Sequence, residues 1–366
     1  MRIGFLVNPI AGMGGSVGLK GTDGEDIRIE AEARGAVKTS PGRSRDALEG
    51  VADWGLEAEF LTCAGEMGKE ELDSAGIDSE VVFKPEKRTT AEDTRRAVKA
   101  FLREGVDLIV FAGGDGTARD IVDVVGRSVP ILGIPSGVKM HSAVFAYTPA
   151  DVAELLDSFS RTRASVEAEV VDIDEDKFRE GIISTRLHGL ALAPSAKEYI
   201  QSSKAEYRSG DADDEADEIA EYVAENMKRG TAYILGPGST TERIAMKLGE
   251  AKTLLGVDVV VDGRIVCRDA SEEDLLRMLR TVVDARIIVT PIGAQGLFFG
   301  RGNQQVSPKV IREVGIDKVI VIATPTKLKN TPVLRTDTGD RALDDSFRGS
   351  LKVITGYRRK KMVPVR

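Results

Sequence analysis

The segment from Asp107 to Asp120, with the sequence DLIVFAGGDGTARD, constrains the fold of this chain more than any other segment. An uninterrupted apolar run over residues 108–112 ends at the turn GGDGT (113–117), and a helical pattern follows. Such a run is typical of a strand buried on both faces of a parallel sheet. Glycines let the backbone turn sharply, and the free N–H groups of the following helix would point back at the turn. Strand, turn and helix together predict an anion site, most often one for phosphate.

Asp115 is the unexpected residue of this turn, because a carboxylate beside phosphate is repelled. A carboxylate is expected there if it holds a metal, a sugar hydroxyl or a proton to be moved. The alternative is a surface turn between strand and helix that carries a solvated aspartate. The residue types alone leave both interpretations open.

Two further loops follow predicted strands in the first part of the chain. Strand 2–7 ends at Asn8-Pro9, and a glycine-rich loop with one lysine, Lys20, continues to Gly24. This loop matches neither G-x-G-x-x-G nor Walker A, which would need glycine at positions 17 and 19 respectively. A strand over 131–134 leads to a loop with Lys139 and His141. Alternating strands and helices predict a parallel sheet with helices on both sides, so the loops should converge at one edge.

The second part of the chain repeats the strand, glycine turn and helix pattern at GPGSTT (236–241), a loop with three hydroxyls and no basic residue. Gly238, Ser239 and Thr240 are candidate phosphate or ribose ligands there, and N-capping of the helix by Ser239 or Thr240 is the alternative. The glycine-rich segment 291–305 is a candidate substrate loop. The last strong strand is predicted at 319–323.

Length and composition limit the number of domains, the classes of binding partner and the location of the protein. A chain of 366 residues predicts about two domains. We place the first at 1–148 and the second, a mixed α/β domain, at 149–345, with a C-terminal segment at 346–366 that packs back on the first domain. The net charge of −8 argues against binding of nucleic acid or an anionic membrane. No apolar run reaches the roughly 20 residues of a membrane span and no leader pattern opens the chain, so a cytoplasmic protein is expected.

GGDGT after a buried strand, together with an early NP-x-x-G-x-G-G loop, resembles the NAD kinase and diacylglycerol kinase superfamily. Within it, the chain is most similar to the archaeal and bacterial ATP–NAD kinase-like proteins that include the acetoin-catabolism X proteins. The resemblance is specific over 1–148 and extends more loosely through GPGSTTER (236–243) and GRGNQQVSP (300–308). It implies an N-terminal doubly wound domain of NAD kinase type and a homo-oligomer.

The resemblance also implies ATP-dependent phosphoryl transfer with Mg²⁺, in which the acceptor is the adenosine ribose 2′-OH of NAD and the donor is ATP or polyphosphate. Asp115 is then the catalytic residue, as general base or as the group that orients the hydroxyl. No residue is assigned to a metal, and the predicted nucleotide and phosphate contacts come from Asn8, Gly12, Gly14, Lys20, Gly113, Gly114, Gly116, Thr117, Lys139, Gly238, Ser239 and Thr240.

The acceptor remains open at this stage. NAD kinases usually carry an Asn-Glu or Asn-Asp pair in a second motif, and no such pair follows GGDGT here. A kinase for another hydroxylated metabolite is therefore one alternative, and a non-catalytic regulator that binds NAD or ATP is another.

Overall fold

A computed structural model describes residues 1–14, 17, 25–85, 89–137, 140–173, 185–195, 211–292 and 295–366. The chain divides into two compact units. The first comprises residues 1–14 and 20–203, and the second comprises residues 15–19 and 204–366. The domain boundary predicted at residue 148 therefore falls inside the first unit.

The first unit contains a five-stranded sheet of order β3-β2-β1-β4-β5, in which every neighbouring pair is parallel. Helices alternate with these strands along the chain, which confirms the predicted α/β class. The elements in chain order are β1 (Arg2–Val7), α1 (Glu25–Ala33), α2 (Ser40–Trp54), β2 (Glu59–Cys63), α3 (Lys69–Ser74), β3 (Ser79–Phe83), α4 (Ala91–Arg103), β4 (Leu108–Gly113), α5 (Asp115–Val125), β5 (Ile131–Pro135), α6 (Asp151–Thr162), β6 (Ser165–Ile173) and β7 (Thr185–Pro194).

Helices cover both faces of this sheet because alternate residues of a strand point to opposite faces. Ile3, Phe5 and Val7 of β1 share one hydrophobic cluster with buried residues of α2 and α6. Leu6 lies in a second cluster with buried residues of α4 and α5. Every residue of β4 is buried, as its apolar run predicts. The sheet therefore has a core on each side. In this fold class, ligands bind beyond the carboxyl ends of the strands.

The antiparallel hairpin of β6 and β7 extends the first unit beyond residue 148. Its buried alanines and Val170 belong to the same cluster as the apolar face of α5. A Cβ atom at Gly189 would lie 3.2 Å from Val122 of that helix, so the hairpin packs closely on α5. The helix that follows GGDGT is thus held between the sheet and this hairpin.

The second unit contains a mixed sheet of order β10-β9-β8-β11-β13. β8, β11 and β13 are parallel neighbours, and β9 is antiparallel to β8 and β10. The elements are α7 (Asp211–Glu225), β8 (Thr231–Leu235), α8 (Ser239–Lys247), β9 (Asp258–Val261), β10 (Arg264–Cys267), α9 (Glu272–Leu279), β11 (Asp284–Val289), β12 (Leu297–Phe299), α10 (Pro308–Val314), β13 (Val319–Val321), α11 (Pro325–Asn330), β14 (Arg335–Thr336), α12 (Arg341–Phe347), β15 (Gly349–Gly356) and β16 (Arg359–Val365).

The prediction that 319–323 is the last strong strand is wrong, because β15 and β16 form a long antiparallel hairpin after it. Val353, Val363 and Val365 are buried, but exposed basic residues and Pro364 separate them and hide the alternation in the sequence. Backbone bridges join Ile354 to Ile322 and Val365 to Leu334. These two bridges lie within the second unit, and the packing of the C-terminal segment on the first domain stays a prediction.

No helix among the residues described is long and apolar enough to span a membrane.

Candidate active site

Three loops meet at the carboxyl edge of the first sheet, as predicted. The backbone N–H of Asn8, just after β1, donates to the carbonyl of Ala112 in β4 at 2.9 Å. The N–H of Ser136, just after β5, donates to the carbonyl of Gly113 at 3.1 Å. A Cβ atom at Gly114 would lie 3.5 Å from the Cα of Gly137. The GGDGT turn is therefore held between the loops that follow β1 and β5.

The side chains of Asn8 and Thr117 join two of these loops directly. Asn8 Nδ2 donates to Thr117 Oγ1 at 2.9 Å, and Asn8 Oδ1 accepts from the N–H of Ile10 at 3.3 Å. Thr117 lies in the first turn of α5 and is buried. A Cβ atom at Gly113 would lie only 2.5 Å from Thr117 Oγ1, so glycine is required there. The side chains of Asn8 and Thr117, both predicted ligands, thus hold the loop after β1 against the GGDGT turn.

Gly12 permits the closest approach between loops in this region. Its φ is +79°, and a Cβ atom would lie 1.9 Å from the carbonyl oxygen of Ser136 and 2.5 Å from Thr39 Oγ1. Thr39, immediately before α2, donates its hydroxyl to the carbonyl of Ala11 at 3.1 Å. The early glycine loop therefore lies directly against the loop after β5, and only glycine fits at this contact.

Asp115 is the first residue of α5 and is 8% exposed. Its Oδ2 accepts from the N–H of His141 at 2.8 Å, and its Oδ1 accepts from the N–H of Ser142 at 3.0 Å. The carboxylate is thus fixed by two backbone amides of the loop after β5. A carboxylate can accept about four hydrogen bonds, so Asp115 retains capacity to accept one more.

Burial raises the pKa of Asp115 from 3.8 to about 6. Hydrogen bonds from the Ser142 hydroxyl and from the amides of His141 and Ser142 oppose this effect, as does the positive charge of Arg119. A pKa of about 6 lies in the range where a carboxylate can exchange a proton near neutral pH. Strongly perturbed acids of this kind are common at functional sites, although structural carboxylates show the same shift.

Two residues that sequence reasoning did not select contribute to this site. Ser142 is buried; its amide binds Asp115, and its hydroxyl accepts from the N–H of Val171 in β6 at 3.1 Å. Arg43, in the first turn of α2, donates through Nε to the carbonyl of Pro135. Ser142 follows the candidate His141 directly, but His141 uses its backbone N–H here, an atom that every residue other than proline has.

The remaining predicted contacts of the first unit lie around the same edge or outside the described residues. Gly14 is in the loop after β1 and Gly116 is in the first turn of α5. Lys20 and Lys139 lie outside the described residues. Among the residues described, no group of three or more histidine, cysteine or acidic side chains is arranged to hold a metal.

In the second unit, the side chain of Thr241 hydrogen-bonds to the backbone of the GPGSTT loop. Its Oγ1 donates to the carbonyls of Gly236 and Gly238, at 2.7 Å and 2.8 Å, in a shared hydrogen bond. The N-cap of α8 is Gly238, with no side-chain cap, so neither Ser239 nor Thr240 caps the helix. Both hydroxyl residues lie instead in the first turn of α8.

The described residues of the glycine-rich segment 291–305 pack closely against the chain around β14. Cβ atoms at Gly296 and Gly300 would lie 2.3 Å and 2.2 Å from the carbonyl oxygens of Val333 and Asp337. Asn303 donates to the carbonyl of Phe298 at 2.9 Å and accepts from the N–H of Gly300 at 3.0 Å. These polar contacts hold the segment together, and a substrate role for it stays a prediction.

Comparison with known protein families identifies both halves of the chain. A model of the ATP-NAD kinase N-terminal domain matches residues 3–164, and a model of the ATP-NAD kinase C-terminal domain matches residues 230–365. The chain belongs to the ATP-NAD kinase family. The two matches cover most of the sequence and include GGDGT in the first domain and GPGSTT in the second. No curated protein matches the chain.

Membership of this family identifies the chain as kinase-like, with ATP and NAD as the nucleotides that the family uses. The placement among acetoin-catabolism X-like proteins, the homo-oligomer and the cytoplasmic location stay predictions. So do the individual roles of the site residues.

Proposed function

We propose that this protein transfers a phosphoryl group from ATP to the adenosine ribose 2′-OH of NAD, with Asp115 as the general base or the group that orients the hydroxyl. The observation that carries the proposal is the position of Asp115 in a matched ATP-NAD kinase domain. Its carboxylate is oriented by two amides, at the edge where three strand-end loops meet.

The geometry supports this role in three respects. The amides of His141 and Ser142 fix the carboxylate without neutralising it, so it can still accept a hydrogen bond from an alcohol. Burial raises its pKa to about 6, which suits proton transfer near neutral pH. The N-terminus of α5 faces the same turn, and its amides favour a nearby phosphate.

The nucleotide would be held by the loops around this carboxylate. Asn8, Gly12, Gly14 and Thr117 are our proposed contacts at the loop after β1 and the start of α5, with Gly113, Gly114 and Gly116 supplying backbone. Lys20 and Lys139 are proposed cations for the phosphates. Within the second domain, Gly238, Ser239 and Thr240 are proposed separately as nucleotide or phosphate contacts.

Mg²⁺ fits this site as an ion carried by the phosphates of ATP. Magnesium is usually bound through substrate phosphates, water and one or two carboxylates, so a cage made only of protein is not needed. Among the described residues, no group of three or more histidine, cysteine or acidic side chains forms such a cage. When bound, the ion neutralises charge on the transferring group. The protein's own contribution is to orient the acceptor and accept its proton.

The test is turnover with ATP and Mg²⁺ against NAD, NADH and a panel of hydroxylated metabolites. Wild-type protein should phosphorylate NAD, and Asp115→Asn should lower kcat by about 10²–10⁴-fold, the usual contribution of a general base. Asp123→Asn is the matched control, because Asp123 lies two turns further along α5 and pairs with His188 at 2.8 Å. Its turnover should stay within about twofold of wild type.

The outcomes separate the alternatives. Turnover of another metabolite in place of NAD would favour the other-acceptor kinase, which the missing Asn-Glu or Asn-Asp pair supports. Stoichiometric nucleotide binding without turnover of any compound would favour the regulator. Equal turnover in wild type and Asp115→Asn would exclude the role assigned to Asp115.

A further inference from the structure

Ser142 contacts Asp115 through two groups, and only one of them depends on its side chain. Its backbone N–H donates to Asp115 Oδ1 at 3.0 Å, and its hydroxyl also donates a hydrogen bond to the carboxylate. Every residue except proline has the backbone N–H, whereas the hydroxyl needs serine or threonine at this position. Ser142 is fully buried, so bulk water does not compete for its hydroxyl.

The hairpin of β6 and β7 fixes the position of that hydroxyl. The N–H of Val171, in β6, donates to Ser142 Oγ at 3.1 Å. The carbonyl of Glu169, in the same strand, accepts from the N–H of Ala143 at 2.8 Å. The register of the β6–β7 pairing shifts between Val170 and Val171, and irregularities of this kind are frequent next to active sites. Because Val171 donates to the Ser142 oxygen, the hydroxyl proton is left for the carboxylate.

The donors around Asp115 leave one position on its carboxylate. A carboxylate can accept about four hydrogen bonds. The amides of His141 and Ser142 and the Ser142 hydroxyl supply three of them. Hydrogen bonds to the charged form favour ionisation, and the ionised form is the one that can take a proton. The remaining position suits the hydroxyl of an acceptor.

We propose that Ser142 is a positioning residue for phosphoryl transfer: its hydroxyl, fixed by the N–H of Val171, holds the Asp115 carboxylate ionised and oriented toward the acceptor alcohol. This inference rests on the proposed function. In that reaction the alcohol oxygen bonds to the γ-phosphorus, the bond from that phosphorus to the departing ADP oxygen breaks, and the alcohol proton passes to Asp115. Ser142 exchanges no atom in this step and acts through Asp115.

Charged groups on α5 and β6 also act on Asp115. Besides the hydrogen bonds, the positive charge of Arg119, one turn further along α5, opposes the rise in the Asp115 pKa that burial causes. Asp172, in β6, pairs with Arg119 at 2.6 Å and offsets part of that charge. The Arg119 side chain is 32% exposed, so solvent screens it further. The buried hydroxyl of Ser142 is not screened in this way.

The other elements around Asp115 carry three further ionisable side chains. Arg43, in α2, donates to the carbonyl of Pro135. His141 lies in the loop after β5, and Lys139 of that loop lies outside the described residues. An imidazole titrates near neutral pH, so the rate alone does not identify the titrating group. The carboxyl carbon of Asp115 therefore has to be observed directly.

The test is a ¹³C NMR titration of the full chain, labelled at the aspartate carboxyl carbons and without ligand, beside the pH profile of kcat/KM with NAD. The Asp115 signal is the one that Asp115→Asn removes. Ser142→Ala keeps both amides and removes the hydroxyl. The Asp115 titration should then move to higher pH by about 1–2 pH units, the scale of one hydrogen bond to a charged group. The acid limb of the rate profile should move with it, and kcat/KM on that limb should fall at least about tenfold.

Two further variants of Ser142 and one control complete the test. Ser142→Thr restores a hydroxyl and should return the titration toward that of wild type. Ser142→Cys replaces the hydroxyl by a weak donor of similar size, and should shift the titration in the same direction as alanine if the alanine variant does not fold. Ser44→Ala is the matched control, because Ser44 is equally buried and donates to the carbonyl of Ser40 at 2.9 Å; its Asp115 titration should equal that of wild type. Thermal unfolding shows which variants fold.

The titration and the rate separate this inference from the proposed function. A shifted Asp115 titration in Ser142→Ala, with no phosphoryl transfer by wild type, would overturn the proposed function and keep Ser142 as the residue that positions Asp115. Phosphoryl transfer that Asp115→Asn abolishes, with an unshifted titration in Ser142→Ala and Ser142→Cys, would overturn only the role of Ser142. A fall in kcat/KM at every pH without movement of the acid limb would overturn that role as well.

Discussion

The two units use the same local device, a strand, a glycine turn and a helix, but they complete it differently. At GGDGT the turn contains its own acid, and neighbouring loops fix Asp115 through backbone amides. At GPGSTT the turn contains hydroxyls only, and a cation comes from α11 through Thr290. The first device places a charged group that can act on a proton. The second brings a lysine of a distant helix, through Thr290, to a turn of hydroxyls.

The difference shows that a glycine turn defines a place for a ligand but not its chemistry. The chemistry depends on what adjoins the turn, and in both units these groups come from loops after neighbouring parallel strands. Three predictions test this comparison, beside the experiments given with the two proposals.

The largest effect is expected from alanine at the two turn-supporting glycines. Gly12→Ala places a Cβ atom 1.9 Å from the Ser136 carbonyl at a φ of +79°, and backbone cannot easily move away. We expect a loss of about 2–4 kcal/mol in the free energy of unfolding. Gly238→Ala (φ +119°) meets the flexible Cγ2 of Thr290, so its loss should be smaller, about 1–3 kcal/mol.

Urea unfolding measures both variants. Gly42→Ala is the control, because its nearest neighbour is the end of the Arg45 side chain at 4.0 Å, and alanine in α2 should be neutral or stabilising. Wild-type stability in Gly12→Ala would contradict the close contact between the two loops of the first unit.

The second prediction concerns pH. Because Asp115 must be ionised to accept a proton and its pKa is raised to about 6, kcat/KM should fall as pH drops through about 6. Well below that pH the decrease should be about tenfold per pH unit. Burial also raises the pKa of Asp344, in the second unit, to about 6, and both its oxygens accept from the N–H of Thr338, at 3.1 Å and 3.2 Å.

Asp344→Asn should therefore leave the acid limb of the pH–rate profile in place. If Asp344→Asn removed that limb, the titrating group would be Asp344 of the second unit, and the prediction for Asp115 would be wrong.

The smallest effect is expected at the hydrogen bond between Asn8 and Thr117, which joins two loops of the first unit. Asn8→Ala and Thr117→Val should each raise the KM for ATP, and a double-mutant cycle should give a coupling of about 1 kcal/mol. Steady-state kinetics of the two single variants and the double variant measure it. Strict additivity would mean that the two side chains act independently on the nucleotide.

Much of the local structure could be predicted because its causes are local. The residue types at Thr90–Asp93 and Ser271–Asp274 predict capping boxes, and both are present. The pair Asp262-Gly263 predicts a tight hairpin turn, and both residues have positive φ there. These motifs bond groups within a few residues, so the residue types suffice. The sequence does not predict the hairpin of β15 and β16, because exposed basic residues and Pro364 interrupt the alternation of its few buried valines.

The sequence by itself determined the parallel sheet, the GGDGT turn and the family, because the apolar run, the glycines and the aspartate are adjacent in the chain. Only the tertiary structure decided which groups surround the turns. The amides of His141 and Ser142 reach Asp115, and Lys327 reaches Thr290, because parallel strands distant in sequence end at one edge of a sheet. A backbone amide carries no residue-specific signal, and a lysine in a distant helix has no fixed spacing from the loop it adjoins.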